Sequence, residues 1–242
     1  MSYFESRLKV NVYDLDEIQR KLEFCEKLGI QNIILEPIND LKKLLEIWKK
    51  GKLQTTKINI FFRLNLIPQS LNELKSLIKN YNKFPFILSV ESLDKQVQIH
   101  AARDSRVDIL SFSNQNILKS LTSGVISLIK QNNSFIEFSL DSIMIRNKAI
   151  QSRNLRNLYK FMHQALNTNA NYIISGNFTE LFDLRHPRSL VSICNSILEI
   201  PLDKAIKGFK NNPILLIERV QKRKDESIIE SGVKLIEEGE YK

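Results

Sequence analysis

The chain has 242 residues, 43% of them hydrophobic, and a formal net charge of +9. That suits one substantial core, and a single α/β domain can be this large. Both signs of charge are interspersed and no apolar run reaches membrane length, which excludes a disordered chain and a membrane-spanning one, and the basic balance suits a polyanionic partner.

Apolar runs alternate with helix-period segments along most of the chain. Residues 8–13 alternate like a strand, and Asp14 or Asp16 can cap the helix that follows, which ends at Gly29. Residues 30–35 read as a second strand, stopped at Glu36-Pro37. Leu41, Leu44, Leu45 and Trp48 then mark a helix. Further strands are expected at 58–64, 86–90, 107–112, 135–138 and 172–174. The helices between them fall at 70–81, 94–103, 116–130 and 152–167. Such strand-helix units of roughly 30 residues imply parallel strands with helical crossovers. About seven of them predict a TIM-like β/α barrel rather than an open sheet. After residue 187 only helices are expected, with Pro187, Pro201 and Pro213 in or near first turns.

Residues 1–224 are expected to form this single barrel domain. Residues 225–242 hold six acids and two bases, a charge of −4 against +13 for the rest. This acidic tail is expected to be flexible, with a short helix possible across 228–236. Cys25 and Cys194 lie far apart among apolar residues and read as buried thiols. With no apolar signal core at the N-terminus, a cytoplasmic protein is expected.

Barrel enzymes place reactive groups at the C-terminal ends of their strands. Here those ends offer Asp14, Glu36, Glu91 and Asp141, which in principle suit magnesium, though such carboxylates more often cap helices. The three histidines, His100, His163 and His186, are dispersed, and no glycine-rich phosphate loop occurs. No cofactor or metal is therefore expected on this chain.

The positive charge is better organised. No acidic residue lies between Asp141 and Glu180, an interval holding Arg146, Lys148, Arg153, Arg156 and Lys160. Leu155, Leu158, Tyr159, Met162 and Leu166 share one face of the expected helix, and Arg153, Arg156, Lys160 and His163 another. Such a cationic stripe can contact several phosphates; its alternative is a solvated face neutralised from elsewhere. In residues 171–190, Arg185 and Arg188 flank a helix start, an apt phosphate site unless Asp183 or Glu180 pairs with them. Arg63, at a strand end, completes the candidate RNA-binding set.

The run from the strand closing at Ser139-Leu140, through Arg153-Asn154-Leu155 and Tyr172-Ile173-Ile174-Ser175-Gly176, to Asp183-Leu184-Arg185-His186-Pro187-Arg188 and the 213–219 helix carries a resemblance. It resembles the family of archaeal ribonuclease P protein component 3 and the eukaryotic thirty-kilodalton subunit, most clearly over residues 105–222. The resemblance implies a TIM-like barrel related to the polymerase and histidinol phosphatase hydrolases. It implies a protein subunit of the ribonucleoprotein that removes 5′ leaders from precursor tRNA, with ribonuclease P RNA and protein component 2 as partners. Catalysis and its Mg²⁺ then belong to the RNA. The related hydrolases begin with His-x-His at the first strand end, where this chain has Val12-Tyr13-Asp14, and Ser189 stands where the family commonly has an acid. Two other readings stay open: a metal-dependent phosphoesterase using Asp14, Glu36, Glu91 and Asp141, and a protein-interaction scaffold.

Overall fold

In the computed structural model, which describes residues 3–38, 40–51, 57–81, 84–224, 228–230 and 233–234, seven parallel strands run in chain order around the sheet. They are β1 (Tyr3–Val10), β2 (Ile30–Pro37), β3 (Asn59–Leu66), β4 (Ile87–Val90), β5 (Ile109–Phe112), β6 (Phe135–Ser139) and β7 (Tyr172–Ser175). Helices α1 (Leu15–Lys27), α2 (Leu41–Lys49), α3 (Leu71–Asn80) and α4 (Lys95–Arg103) make the first four crossovers. The next is made by α5 (Gln115–Ser120) with α6 (Ser123–Gln131), and the last by α7 (Lys148–Asn167). Just beyond β7, Phe178 bridges Leu8, and its carbonyl accepts a 3.1 Å bond from the Lys9 amide. The expected TIM-like barrel is therefore nearly closed without an eighth strand.

The expected helix over 116–130 is two helices. The chain breaks at Leu121, and Thr122 restarts it by accepting from the Val125 amide at 3.3 Å. Helix α7 begins earlier than expected, because Asn147 caps it through the Ile150 amide. Asp14, not Asp16, caps α1. The turns after α1 and α2 use Gly29 and Gly51 at positive φ, whereas those after α6 and α7 use asparagine: Asn133 and Asn169 sit at φ +53° and +52°. Asparagine tolerates this left-handed region better than most residues. Gly176 is needed for a different reason: a Cβ there would lie 2.1 Å from the Phe178 ring.

Three helices follow the barrel: α8 (Pro187–Ser196), α9 (Leu202–Phe209) and α10 (Asn211–Lys224). Helix α10 closes the N-terminal end of the barrel. Its Leu216 and Val220 pack against Ile34, Ile87, Ile109, Phe135 and Ile173, which are inward-facing strand residues. Arg219 and Arg223 fasten it by donating to the buried Asp108 carboxylate and to barrel carbonyls, including Asn132, Arg106 and Phe86. The short helix expected across 228–236 is corrected: Ile228–Glu230 and Val233–Lys234 pair as antiparallel strands, β8 and β9. Leu235 and Ile236 lie outside the described residues.

Candidate nucleic-acid interface

Above the apolar plug the barrel is filled by charge. Strand side chains alternate, so Glu5 and Arg7 on β1, Glu36 on β2, Arg63 on β3, Ser89 on β4, Ser111 on β5 and Glu137 on β6 converge on the axis. Arg7 grips Glu36 with two 2.9 Å bonds, reaches Glu91 at 3.1 Å, and donates to Ser111. Arg63 donates to Glu137 at 2.6 Å and to Ser89 at 2.9 Å, and lies 3.1 Å from Glu36.

This corrects the expectation for Arg63. It is fully buried, with its charge spent on Glu36 and Glu137, so no phosphate can reach it. The four candidate metal ligands are also not one group. Asp14 is exposed and capping α1, and Glu36 and Glu91 belong to the arginine cluster. Asp141 accepts from Ser139 and Asn177. No set of three or more His, Cys, Asp or Glu residues able to hold a metal occurs among the described residues.

The carboxyls of this core titrate in opposite directions. Burial pushes Glu5 up to about 8, although the Arg7 and Gly176 amides donate to it. Burial also acts on Glu137, but Arg63 and Arg7 outweigh it and hold that carboxyl at about 2. A neutral Glu5 beside an ionised Glu137 avoids two adjacent buried charges. The consequence for stability has a definite sign. Glu5 has a folded pKa above its ordinary value of 4.5, so its contribution is complete below pH 4.5 and is lost as pH rises to about 8. Glu5→Gln stays neutral throughout. Urea midpoints measured from pH 5 to 9 should therefore fall less steeply with pH for this variant than for wild type.

The remaining candidates are all on the surface. Arg153, Arg156 and Lys160 are exposed along the outer wall of α7, while Leu158, Phe161, Met162 and Ala165 face inward. Tyr159, expected in the core, is half-exposed and donates to Glu199 at 3.1 Å. His163 is half-buried against the Leu198 carbonyl and adds nothing to the stripe. Arg146 and Lys148 are exposed at the start of α7, with Lys148 donating to Gln151.

Arg185 and Arg188 are exposed in the loop from β7 to α8. His186 caps α8 by accepting from the Arg188 amide through Nδ1 at 3.1 Å, and the Arg185 guanidinium folds onto the Leu184 carbonyl at 3.0 Å. Neither Asp183 nor Glu180 pairs with either arginine. Among the described residues, none of the seven exposed cations forms an ion pair with a carboxylate. The loops bearing Arg146 and Arg185 follow parallel strands β6 and β7, so both lie on the C-terminal rim, from which α7 carries the stripe down the wall. Sequence reasoning missed Arg7, Glu5 and Glu137. Glu5 and Arg7 signalled themselves only as charges at alternate positions of β1, and Glu137 only as a lone charge in an apolar strand.

The sequence profile of the RNase P subunit p30 family matches residues 5–225. The chain belongs to that family. It is a protein subunit of ribonuclease P, the endoribonuclease complex that processes precursor tRNA. Ribonuclease P protein component 3 of Methanococcoides burtonii is 22% identical over 183 residues, covering 76% of this chain and 75% of that one. A chain in the cryo-EM structure of an archaeal ribonuclease P with mature tRNA superposes with a TM-score of 0.77 at 14% identity, over 97% of this chain and 99% of its own length. A putative prolidase from Bifidobacterium longum gives 0.64 at 7% identity, over 90% and 70%. This chain and that one thus share a barrel fold, and in this chain two guanidinium groups supply the positive charge at its centre. No helix of the described residues is long and apolar enough to cross a membrane.

Proposed function

We propose that this p30-family subunit binds and supports the catalytic RNA of ribonuclease P and takes no part in breaking the phosphodiester bond. The complex then removes the 5′ leader of precursor tRNA, with Mg²⁺ held by the RNA and protein component 2 as a neighbour. The observation that carries this reading is the division of the arginines. Arg7 and Arg63 are consumed by buried carboxylates at the barrel centre. Arg146, Lys148, Arg153, Arg156, Lys160, Arg185 and Arg188 stand exposed without such partners. A phosphate backbone gains from each unpaired cation through counterion release.

Reconstitution tests it. Cognate ribonuclease P RNA and the other protein subunits should cleave precursor tRNA faster, or at lower Mg²⁺, when this chain is added. Cleavage unchanged by its addition contradicts the proposal. The phosphoesterase reading has no favouring observation, because Glu36 and Glu91 already neutralise Arg7.

A further inference from the structure

One aromatic side chain interrupts the cationic stripe of α7. Tyr159 stands between Arg156 and Lys160 and is 38% exposed, although its spacing from Leu155 and Met162 would put it on the apolar side. Its ring is held in place. The hydroxyl donates to Glu199 Oε2 at 3.1 Å, and the His163 ring lies against it with centroids 4.2 Å apart. His163 is fixed in turn by a 2.9 Å bond between its Nε2 and the Leu198 carbonyl. His163 sits one turn further toward the C-terminal end of α7, so the face of the Tyr159 ring that it leaves open is the one toward Arg156. Among the described residues no lysine or arginine lies over this ring; the Lys160 ammonium lies 5.3 Å from the neighbouring Phe161 ring instead. A fixed aromatic ring with one open face is what a nucleobase stacks on, and proteins hold unpaired nucleotides in this way.

The charges around the ring favour a nucleotide. Helix α7 carries Lys148, Arg153, Arg156 and Lys160 and no acid, and α5, which packs beside it, adds exposed Lys119. On the other flank, exposed Glu199 and Asp203 are set against Lys204 and Lys207. Glu199 is the acid at the hydroxyl edge of the ring. There it repels a phosphate but accepts from the amino or imino groups of a base, while the phosphates on either side lie toward the arginines. Ile197 and Leu202, both half-exposed, flank Glu199 in the chain and would suit a protein surface as well; a protein has no comparable use for the unpaired cations. We infer that the Tyr159 ring is the stacking platform for one unpaired base of the RNA, whose flanking phosphates lie on Arg153, Arg156 and Lys160. The inference rests on the RNA-binding reading of the α7 wall and adds what charge alone lacks, a preference for a bulged or looped nucleotide over continuous duplex.

The test uses the full chain and the cognate ribonuclease P RNA, titrated over a range of salt. Tyr159→Leu keeps the bulk and removes the aromatic face. It should bind the RNA about 5- to 150-fold more weakly, the usual worth of one stacked base, with the slope of log K against log salt unchanged. Arg156→Ala should instead make that slope shallower by about 0.7–0.9. Tyr159→Phe keeps the ring and should recover most of the affinity. Thermal unfolding of Tyr159→Leu should match wild type, because the ring lies outside the core. Ultraviolet crosslinking of the wild-type complex should join the tryptic peptide 157–160 to a nucleotide that is unpaired in the free RNA. Wild-type affinity for Tyr159→Leu, an equal loss in Tyr159→Phe, or a crosslink to a base-paired nucleotide overturns the inference and leaves the RNA-binding proposal standing. So does a Tyr159→Leu variant that keeps RNA and loses a ribonuclease P protein subunit, which would make the ring a protein contact. A wild-type chain that binds no RNA at any salt overturns both.

Discussion

Arg63→Ala is expected to destabilise the chain by about 3–5 kcal/mol, the usual cost of removing one partner from a buried ion pair. Arg63 is wholly enclosed, and its loss would leave Glu137 with only the more distant Arg7, at 3.7 Å, for compensation. Its Nε bond to Ser89 and its contact with Glu36 go as well. Against a total stability of roughly 5–15 kcal/mol, that loss is large. For a chain of this size each kcal/mol moves the melting temperature by about 2–4 °C, so the midpoint should drop by about 6–20 °C. Arg63→Met/Glu137→Leu removes both charges and should recover much of the loss, since a buried pair and an apolar replacement are often near parity. Thermal melts of the two variants decide it. A wild-type midpoint for Arg63→Ala would mean that the cluster is solvated.

Asp108→Ala should have a comparable effect, about 3–5 kcal/mol, but through a different element. Asp108 is fully buried and accepts from the Leu88 amide at 2.9 Å, from Arg223 at 2.7 Å and from Arg219 at 3.3 Å. It joins the barrel wall to α10, whose Leu216 and Val220 plug the barrel. Removing it takes the carboxylate from two arginines, which keep only their carbonyl partners, and the acceptor from the Leu88 amide. Hydrogen exchange should rise first in α10, before the strands open. Protection of α10 equal to wild type would contradict this role. Arg223→Ala should cost less, about 1–3 kcal/mol, because its guanidinium is partly exposed and Arg219 remains.

The order of elements was legible in the sequence because buried parallel strands are short apolar runs, and β2, β4, β5, β6 and β7 fit that pattern. Strand β1 was misplaced toward its C-terminal end for the same reason. Glu5 and Arg7 point inward, and a charged inward face does not look like a core strand until its partners are known. Those partners lie 29 to 171 residues away, so no local window contains them. Arg63 failed in the same way: a lone arginine at a strand end reads as accessible unless Glu137 is known to sit 2.6 Å from it. The α7 stripe was legible because helical spacing alone sets which side chains share a face, and the apolar side fixes which face is outward. Only Tyr159 and His163 strayed, both drawn toward residues 198–199 at the end of the next helical segment.

The most direct measurement is the salt dependence of binding to cognate ribonuclease P RNA. It compares wild type with a variant in which Arg153, Arg156, Lys160, Arg185 and Arg188 are all alanine. Each phosphate contact contributes about 0.7–0.9 to the slope of log K against log salt. An RNA-docking surface made of these exposed residues predicts a slope shallower by about 3.5–4.5 units in the variant, with unchanged thermal unfolding. Equal slopes for the two proteins would contradict it and place the RNA contacts elsewhere on the barrel.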